Sequence, residues 1–492
     1  MLDFDAKWYK YYLWCNHLKN HNSLSRKKKK QGPLQNIKID AYAAEGKSIA
    51  RLEDGKVLFV DNAIPGDVVD VVIIKDKKSW MQGRMIRLVE PSPQRIEPFC
   101  QHFGVCGGCK WQMLPYPQQL VYKQQQVADQ LQRIGHIELP PLQPIIGSRH
   151  ERYYRNKLEF TFSTRRYLTF DEISERDETI TQEPALGFHA PGLFDKVVEI
   201  HTCYLQNEPT NLLLTVLREF TRGMPYYDYK AQYGWLRNIV LRVSTTGEVL
   251  INLVIHHEDK EKREAILEHL LANIPGITSL NYTINGKMND SIHDLEVICY
   301  SGQTYIEEKL ENFRFKISPK SFFQTNTLQA EALYKVTREF AGLSGQEVLY
   351  DLYCGTGSIG IFCSKNAKKI IGIEVIEEAV KDAYENAALN GLENCKFFAG
   401  DVDKVCTDVF FETHGRPDVI ITDPPRAGMT EKLIQQLLKM RAPKVVYVSC
   451  NPATQARDLQ LLDEAYRITR LQPVDMFPHT HHIENVALLE LK

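Results

Sequence analysis

The chain has 492 residues, 43% of them apolar and 25% charged, the composition of a globular protein of two to four domains. No apolar run reaches about 18 residues, so no membrane span is expected. The N-terminus, MLDFDAKWYKYYLWC, lacks the apolar core and cleavage site of a secretory signal, which makes a cytoplasmic location the default. A net charge of −2 carries no global signature of a nucleic-acid binder, although an average hides local patches.

Residues 1–33 read as a poorly ordered extension ending at Gly32-Pro33. Its sharpest feature is the run Arg26 to Lys30, either a solvated arm or a contact for RNA phosphates. From 34 to 91 the pattern becomes short strands: NIKIDAYA, KVLFV, DVVDVVIIK and WMQGRMIRLVE alternate apolar and polar residues or run β-branched. Turn signals at Glu53-Asp54-Gly55 and Ile64-Pro65-Gly66-Asp67 separate them, and so many strands in so short a segment predict a small β-barrel. Pro91, Pro93 and Pro98 then break the chain. Gln118 to Gly135 is predicted to be a helix that stops at Gly135. Tyr153 to about Ser318 reads as antiparallel α+β, with KLEFTFS, WLRNIVLRVS and EVLINLVIHH as its clearest strands. From Gln346 onward strands and helices alternate: EVLYDLYC, KIIGIEV, CKFFAGD, DVIITDPP, KVVYVSC and finally VALLELK. That alternation predicts a doubly wound parallel sheet.

Eleven cysteines are too unevenly placed for a disulfide scaffold. Cys100, Cys106 and Cys109 form C-x5-C-x2-C, with two glycines that let the chain wrap around a bound object, and Cys203 is the nearest later candidate for a fourth ligand. In a reducing compartment such a cluster points to ligation, and the spacing alone leaves zinc and iron–sulfur both open.

The run Asp351-Leu352-Tyr353-Cys354-Gly355-Thr356-Gly357 follows an apolar strand, and such a turn lets a cofactor approach the backbone closely. Glu374 ends the next strand, where a carboxylate can accept from ribose hydroxyls; Asp401 ends the third and can face an adenine edge; Asp423 ends the fourth. The turn is not G-x-G-x-x-G and has no phosphate-type lysine, which favours S-adenosylmethionine over a dinucleotide. Cys450 ends KVVYVSC, at the sheet's ligand edge rather than inside the strand. A thiolate there can add to carbon 6 of a pyrimidine and make carbon 5 nucleophilic towards a methyl sulfonium, after which a base must remove the carbon-5 proton. Glu484 is the candidate base, with His479, His481 and His482 as rivals in the same loop.

DLYCGTGSIG, TDPPRAGM, YVSCNPATQARDL and MFPHTHHIEN together resemble the successive motifs of the RNA uracil-5-methyltransferase family, and CGGCKWQ with its upstream cysteine resembles the iron–sulfur ribosomal RNA branch. The resemblance spans roughly residues 35–492. It implies that Cys450 is the nucleophile and Glu484 the base. By the same resemblance Gln324, Tyr353, Glu374 and Asp423 are cofactor-site positions and Phe322 stands beside the target base. Cys100, Cys106, Cys109 and Cys203 are implied ligands of a [4Fe-4S] cluster. The implied organisation is an N-terminal extension (1–33), a TRAM-like OB-type RNA-binding barrel (34–91), a central α+β iron–sulfur domain (92–318) and a Rossmann-like methyltransferase domain (319–492). Part of 110–145 is expected to pack with that last domain. The implied substrate is a uridine of 23S ribosomal RNA, methylated by a monomer with no membrane partner, with transfer RNA as the alternative. The basic arm and the charged segment from Thr164 to Ala185 depart from the family pattern, the latter lengthening the gap to Cys203. A cytosine-5 methyltransferase would carry a cysteine where this chain has Asp423-Pro424-Pro425-Arg426; an amino-group methyltransferase would carry an aromatic at Arg426 and need no Cys450. A non-catalytic RNA-binding iron–sulfur protein would need neither nucleophile nor base.

Overall fold

The computed structural model describes residues 32–169, 172–173 and 183–492. The basic run and most of the predicted extension lie outside the described residues, as does the middle of the segment from Thr164 to Ala185. Among the described residues, no helix is long and apolar enough to cross a membrane.

The first unit comprises β1 (Leu34–Lys38), β2 (Ala41–Tyr42), β3 (Ser48–Arg51), β4 (Val57–Asp61), β5 (Val68–Asp76) and β6 (Trp80–Glu90), in the order β1-β5-β6-β4-β3-β2. β1 and β2 are one extended stretch interrupted only at Ile39-Asp40, yet they pair with opposite edges, β5 and β3. One segment zipping both edges closes the sheet, so the predicted barrel is present. Ala50, Leu58 and Val60 alternate with less buried neighbours and, with Val69 and Val71, fill its interior. β3 is the strand that the sequence pattern did not reveal.

The second unit is a seven-stranded sheet, β13-β12-β11-β10-β7-β8-β9. Its members are β7 (Lys157–Ser163), β8 (Ala185–His189), β9 (Val197–Glu199), β10 (Leu236–Val243), β11 (Val249–Ile255), β12 (Ile277–Ile284) and β13 (Val297–Gly302). Pairing is antiparallel except between β11 and β12, which the helix Lys260–Asn273 connects. Cys203 belongs to this core, and Cys106 and Cys109 pack against it. A hairpin of β14 (Ile306–Leu310) and β15 (Phe313–Ile317) leads onward.

The C-terminal sheet has the order β18-β17-β16-β19-β20-β22-β21. These strands are β16 (Val348–Leu352), β17 (Lys369–Glu374), β18 (Cys395–Ala399), β19 (Val419–Thr422), β20 (Lys444–Ser449), β21 (Tyr466–Val474) and β22 (Glu484–Leu491). The expectation of a parallel sheet needs correction: β22 is antiparallel to both β20 and β21 and lies between them. Strand direction is set by which neighbour closes the core, and a local pattern does not carry it. β21 was also absent from the expected strands, because YRITRLQPV mixes two arginines and a proline into its apolar positions.

The helix Tyr116–Gly135 packs on the helix Pro452–Leu462, with Val127 and Leu131 in one core with Leu459, Leu462 and Leu471. The helix ends at Gly135 as expected, but the glycine is not the left-handed cap. It is buried within the last turn, where a Cβ would lie 3.5 Å from the Ala456 carbonyl, and His136 at φ 49 takes the left-handed cap.

Gly372 in β17 lies beneath the glycine-rich turn: a Cβ there would lie 2.4 Å from a Phe397 ring carbon and 2.9 Å from the Cys354 sulfur. Gly372→Ala is therefore expected to destabilise the protein by about 1–3 kcal/mol in urea denaturation, from overpacking. An unchanged midpoint would contradict the packing described.

Candidate active site

The glycine-rich turn leaves β16 through three left-handed residues: Tyr353 (φ 61), Gly355 (φ 52) and Gly357 (φ 78). For tyrosine this conformation costs about 1–2 kcal/mol. The turn is braced from below. The Glu374 carboxylate accepts the N–H of Gly355 (3.1 Å) and of Ile376 (3.0 Å), and Asp351 Oδ2 accepts the N–H of Gly360 (2.8 Å). Asp351 is buried, and its Oδ1 has no hydrogen-bond partner among the described residues. Burial, with the nearby charges of Asp423 and Glu374, raises its carboxyl to about 7. Asp401 follows β18 but faces solvent, 48% exposed, in an ion pair with Lys404 at 2.5 Å. Its charge reaches Tyr353, whose hydroxyl is raised by burial and by Asp458, Glu374 and Asp401. Tyr353, Glu374 and Asp401 thus border one edge of the sheet, Asp401 at its margin.

The loop 318–326 is tied to the helix that follows Glu374, where Ser321 Oγ donates to Asp382 Oδ2 (2.8 Å). Arg242, itself buried, donates to the Ser321 carbonyl at 2.5 Å, and Asn156 Nδ2 donates to the Gln324 carbonyl (2.9 Å) and to Thr327 Oγ1 (2.8 Å). The two phenylalanines of the loop part company: Phe323 is 4% exposed and anchors it, whereas Phe322 is 72% exposed. Gln324 is half-buried. Sequence reasoning did not find Arg242, in β10, or Asn156, just before β7, which lie 79 and 168 positions from their partners in the chain.

The second half of the site lies at β19, β20 and β22. Ser449 at the end of β20 is opposite Asn485 in β22, so the antiparallel ladder brings the next residues, Cys450 and Glu484, side by side. Cys450 is half-buried, unlike the buried Cys354, Cys363, Cys395 and Cys406. It is held between the strand and a helix that starts at once: Asn451 caps it by accepting the Ala453 N–H (3.1 Å), and Pro452 occupies its first turn. The positive end of that helix faces the thiol's segment. Asp423 enters from β19, where its N–H donates to the Leu352 carbonyl (3.4 Å) and so joins the two halves of the site. The loop after it is tied down twice: Asn451 Nδ2 donates to the Arg426 carbonyl (3.0 Å), and the buried Asp458 accepts the Met429 N–H (2.8 Å) and the Tyr447 hydroxyl (2.7 Å).

Two carboxyls and a thiol share this space. Glu484 is 5% exposed; burial and the Asp423 charge raise its carboxyl well above the ordinary range, while Arg426 acts the other way. Burial raises Asp423 to about 7. The Cys450 thiol is pushed up to about 12 by burial and by the Glu484 and Asp423 charges, against Arg426. The thiol therefore holds its proton more tightly than an ordinary cysteine, and each carboxyl disfavours ionisation of the other. Arg426 is the site residue that sequence reasoning passed over, although TDPPR displayed it.

The three rival histidines are separated by position. His479 is buried away from this group, donor and acceptor to Gln119 and edge-on to Phe99 at 5.1 Å. His481 backs onto Gly46 of the barrel, and the His482 ring lies tilted against that of His481 at 4.1 Å. Burial lowers the three to about 4, 4 and 3, so they are neutral at pH 7.

Away from this edge, Cys100, Cys106, Cys109 and Cys203 line one cavity of about 30 Å³. Burial raises all four thiols, Cys109 to about 12 and Cys203 to about 11, with their mutual charges adding for Cys106, Cys109 and Cys203. Among the described residues, no three His, Cys, Asp or Glu side chains are gathered tightly enough to hold a single metal ion. The donor set is four thiols without a carboxylate, which fits the soft ligation of an iron–sulfur cluster.

The sequence model of the family described as tRNA (Uracil-5-)-methyltransferase matches residues 236–492, and that of the TRAM domain matches 28–86. An uncharacterized RNA methyltransferase of Bacteroides thetaiotaomicron is 50% identical over 455 residues, 92% of this chain and 100% of the relative. Another, from Porphyromonas gingivalis, is 50% identical over 461 residues, 92% of this chain and 99% of its own length. Among solved structures, the Pyrococcus abyssi tRNA (uracil-54, C5)-methyltransferase in complex with S-adenosyl-L-homocysteine is similar, with a TM-score of 0.70 and 27% identity over 93% of this chain and 100% of that one.

The raised carboxyls make a signed prediction. A carboxyl held above its unfolded value binds its proton more tightly when folded. Its contribution to stability is full below about pH 4 and is lost as the pH rises through about 7. Between pH 5 and 8, wild type should therefore lose stability relative to Asp423→Asn, by on the order of a few kcal/mol in paired melting curves. A gap independent of pH would contradict the burial described.

Proposed function

Because the chain belongs to the RNA uracil-5-methyltransferases, S-adenosylmethionine-dependent enzymes of RNA, we propose that Cys450 and Glu484 carry its reaction and that its target is a uridine of 23S ribosomal RNA. The observation that carries the chemical part is the β20–β22 ladder, which sets a half-buried thiol beside a buried carboxyl. S-adenosylmethionine supplies the methyl group and, when bound, a positive sulfonium that favours the ionised carboxyls. The uridine leaves its stack and is read in the pocket, with Phe322 exposed for stacking. The Cys450 thiol gives its proton to the carboxylate pair and its sulfur adds to carbon 6. Carbon 5, now nucleophilic, takes the methyl group as its bond to the donor's sulfur breaks, leaving S-adenosylhomocysteine. Glu484 removes the carbon-5 proton, the sulfur–carbon 6 bond breaks, and 5-methyluridine leaves. Asp423 and Arg426 set the charge of the pocket, while Tyr353, Glu374, Gln324 and Asp401 bind the methyl donor. The four clustered cysteines hold a [4Fe-4S] cluster, and the barrel grips RNA through phosphates and shape.

The ribosomal target rests on the resemblance of the CGGCKWQ segment with its barrel. The second reading, a transfer RNA, is favoured by one observation: the Pyrococcus abyssi enzyme, similar over 93% of this chain, acts on uracil 54 of tRNA. Mapping 5-methyluridine by mass spectrometry in RNA from cells with and without the gene separates them. A 23S position that loses the modification is expected; loss from tRNA alone would contradict the assignment. Cys450→Ala is expected to lower methyl transfer by at least about 10³-fold while S-adenosylmethionine still binds in titration calorimetry. Full activity in that variant would overturn the mechanism.

A further inference from the structure

Lys123 and Asp475 form an ion pair at 2.6 Å with both side chains 0% exposed. A buried pair costs desolvation that surface pairs avoid, and apolar residues of similar volume often serve stability as well or better, so its presence asks for another reason. Its surroundings supply one. Asp475 is the residue after Val474, and Val474 is the cross-strand partner of Glu484 in the β21–β22 ladder. The chain from Asp475 to Ile483 is therefore the connection that returns directly into the carboxyl beside Cys450.

The pair fastens that connection at its root. Asp475 Oδ1 accepts from Lys123 Nζ and from the Phe477 N–H (3.0 Å), and Oδ2 accepts from the Tyr116 hydroxyl (2.9 Å). Lys123 Nζ also donates to the Phe477 carbonyl (3.0 Å), and the Asp475 N–H donates to the Ile146 carbonyl (2.8 Å). One helical turn earlier, Gln119 holds His479 by its backbone and ring. Lys123, Tyr116 and Gln119 all project from the helix Tyr116–Gly135, more than 340 residues away in sequence. We propose that Lys123 and Asp475 are positioning residues, which hold the Asp475–Ile483 connection so that Glu484 meets the carbon-5 proton.

The inference rests on the proposed role of Glu484 and has a readout peculiar to it. If Glu484 is misplaced, addition and methyl transfer proceed but elimination stalls, so a covalent enzyme–RNA adduct that survives denaturation builds up. The double variant Lys123→Met/Asp475→Leu replaces the ions by apolar groups and removes the hydrogen bonds to Phe477. The second variant, Asp475→Asn, keeps the shape and removes the charge. With RNA from cells lacking the gene as substrate, both are expected to melt as cooperatively as wild type. Each should lower kcat at least 10-fold with KM for S-adenosylmethionine within 2-fold, and raise the adduct fraction on denaturing gels at least 10-fold. Reduced kcat without adduct, unchanged kcat, or failure of both variants to fold would overturn the positioning role. Glu484→Gln is the control: if it traps no adduct, the proposed role of Glu484 fails first; if it traps adduct and the pair variants do not, only the present inference fails.

Discussion

The antiparallel entry of β22 between β20 and β21 is the constraint on which the site depends. In a purely parallel sheet every strand ends at the same edge, so the ligand-facing rim collects residues that end strands, as Glu374 does, or follow them, as Tyr353, Asp423 and Cys450 do. Only a reversed strand delivers its first residue to that rim. Glu484 is that residue, and the Ser449–Asn485 pairing fixes its height beside Cys450 to within one ladder step.

That placement has an electrostatic consequence. Glu484 is buried and Asp423 half-buried, with one exposed arginine nearby, which disfavours two negative charges and a thiolate together in the pocket. The free protein rests with its protons in place. A cationic methyl donor changes that balance by adding a positive charge, which links proton release in the pocket to the presence of the donor. On this account a thiol raised to about 12 by burial and by the two carboxyl charges is compatible with nucleophilic chemistry once a cationic donor offsets them.

Much of this was legible in the sequence. The strands EVLY, KIIGIE, DVIIT and KVVYVS announce themselves as continuous apolar runs, because they are covered on both faces, and the residues after them mark the rim. The barrel strands alternate because only one face is buried. What was not legible depends on distant partners. The direction of β22 is decided by its neighbours, β21 hides behind Arg467 and Arg470, and the helix–helix contact of Gly135 depends on Ala456 far along the chain. Arg242 and Asn156 read as ordinary strand-region polar residues until the two units meet. Lys123, in a glutamine-rich helix, looks like a solvated face and is instead fully buried. Asp401, expected at the end of the third strand, stands just beyond β18 at the margin of this edge, paired with Lys404.

The central claim concerns one sulfur atom. The most direct test is to trap the enzyme–RNA complex under denaturing conditions, digest both components, and identify by tandem mass spectrometry the peptide that carries a uridine. The account predicts a methylated uridine bonded through carbon 6 to the sulfur of Cys450. A uridine on any other side chain, or an active enzyme that never forms a covalent complex, would contradict it.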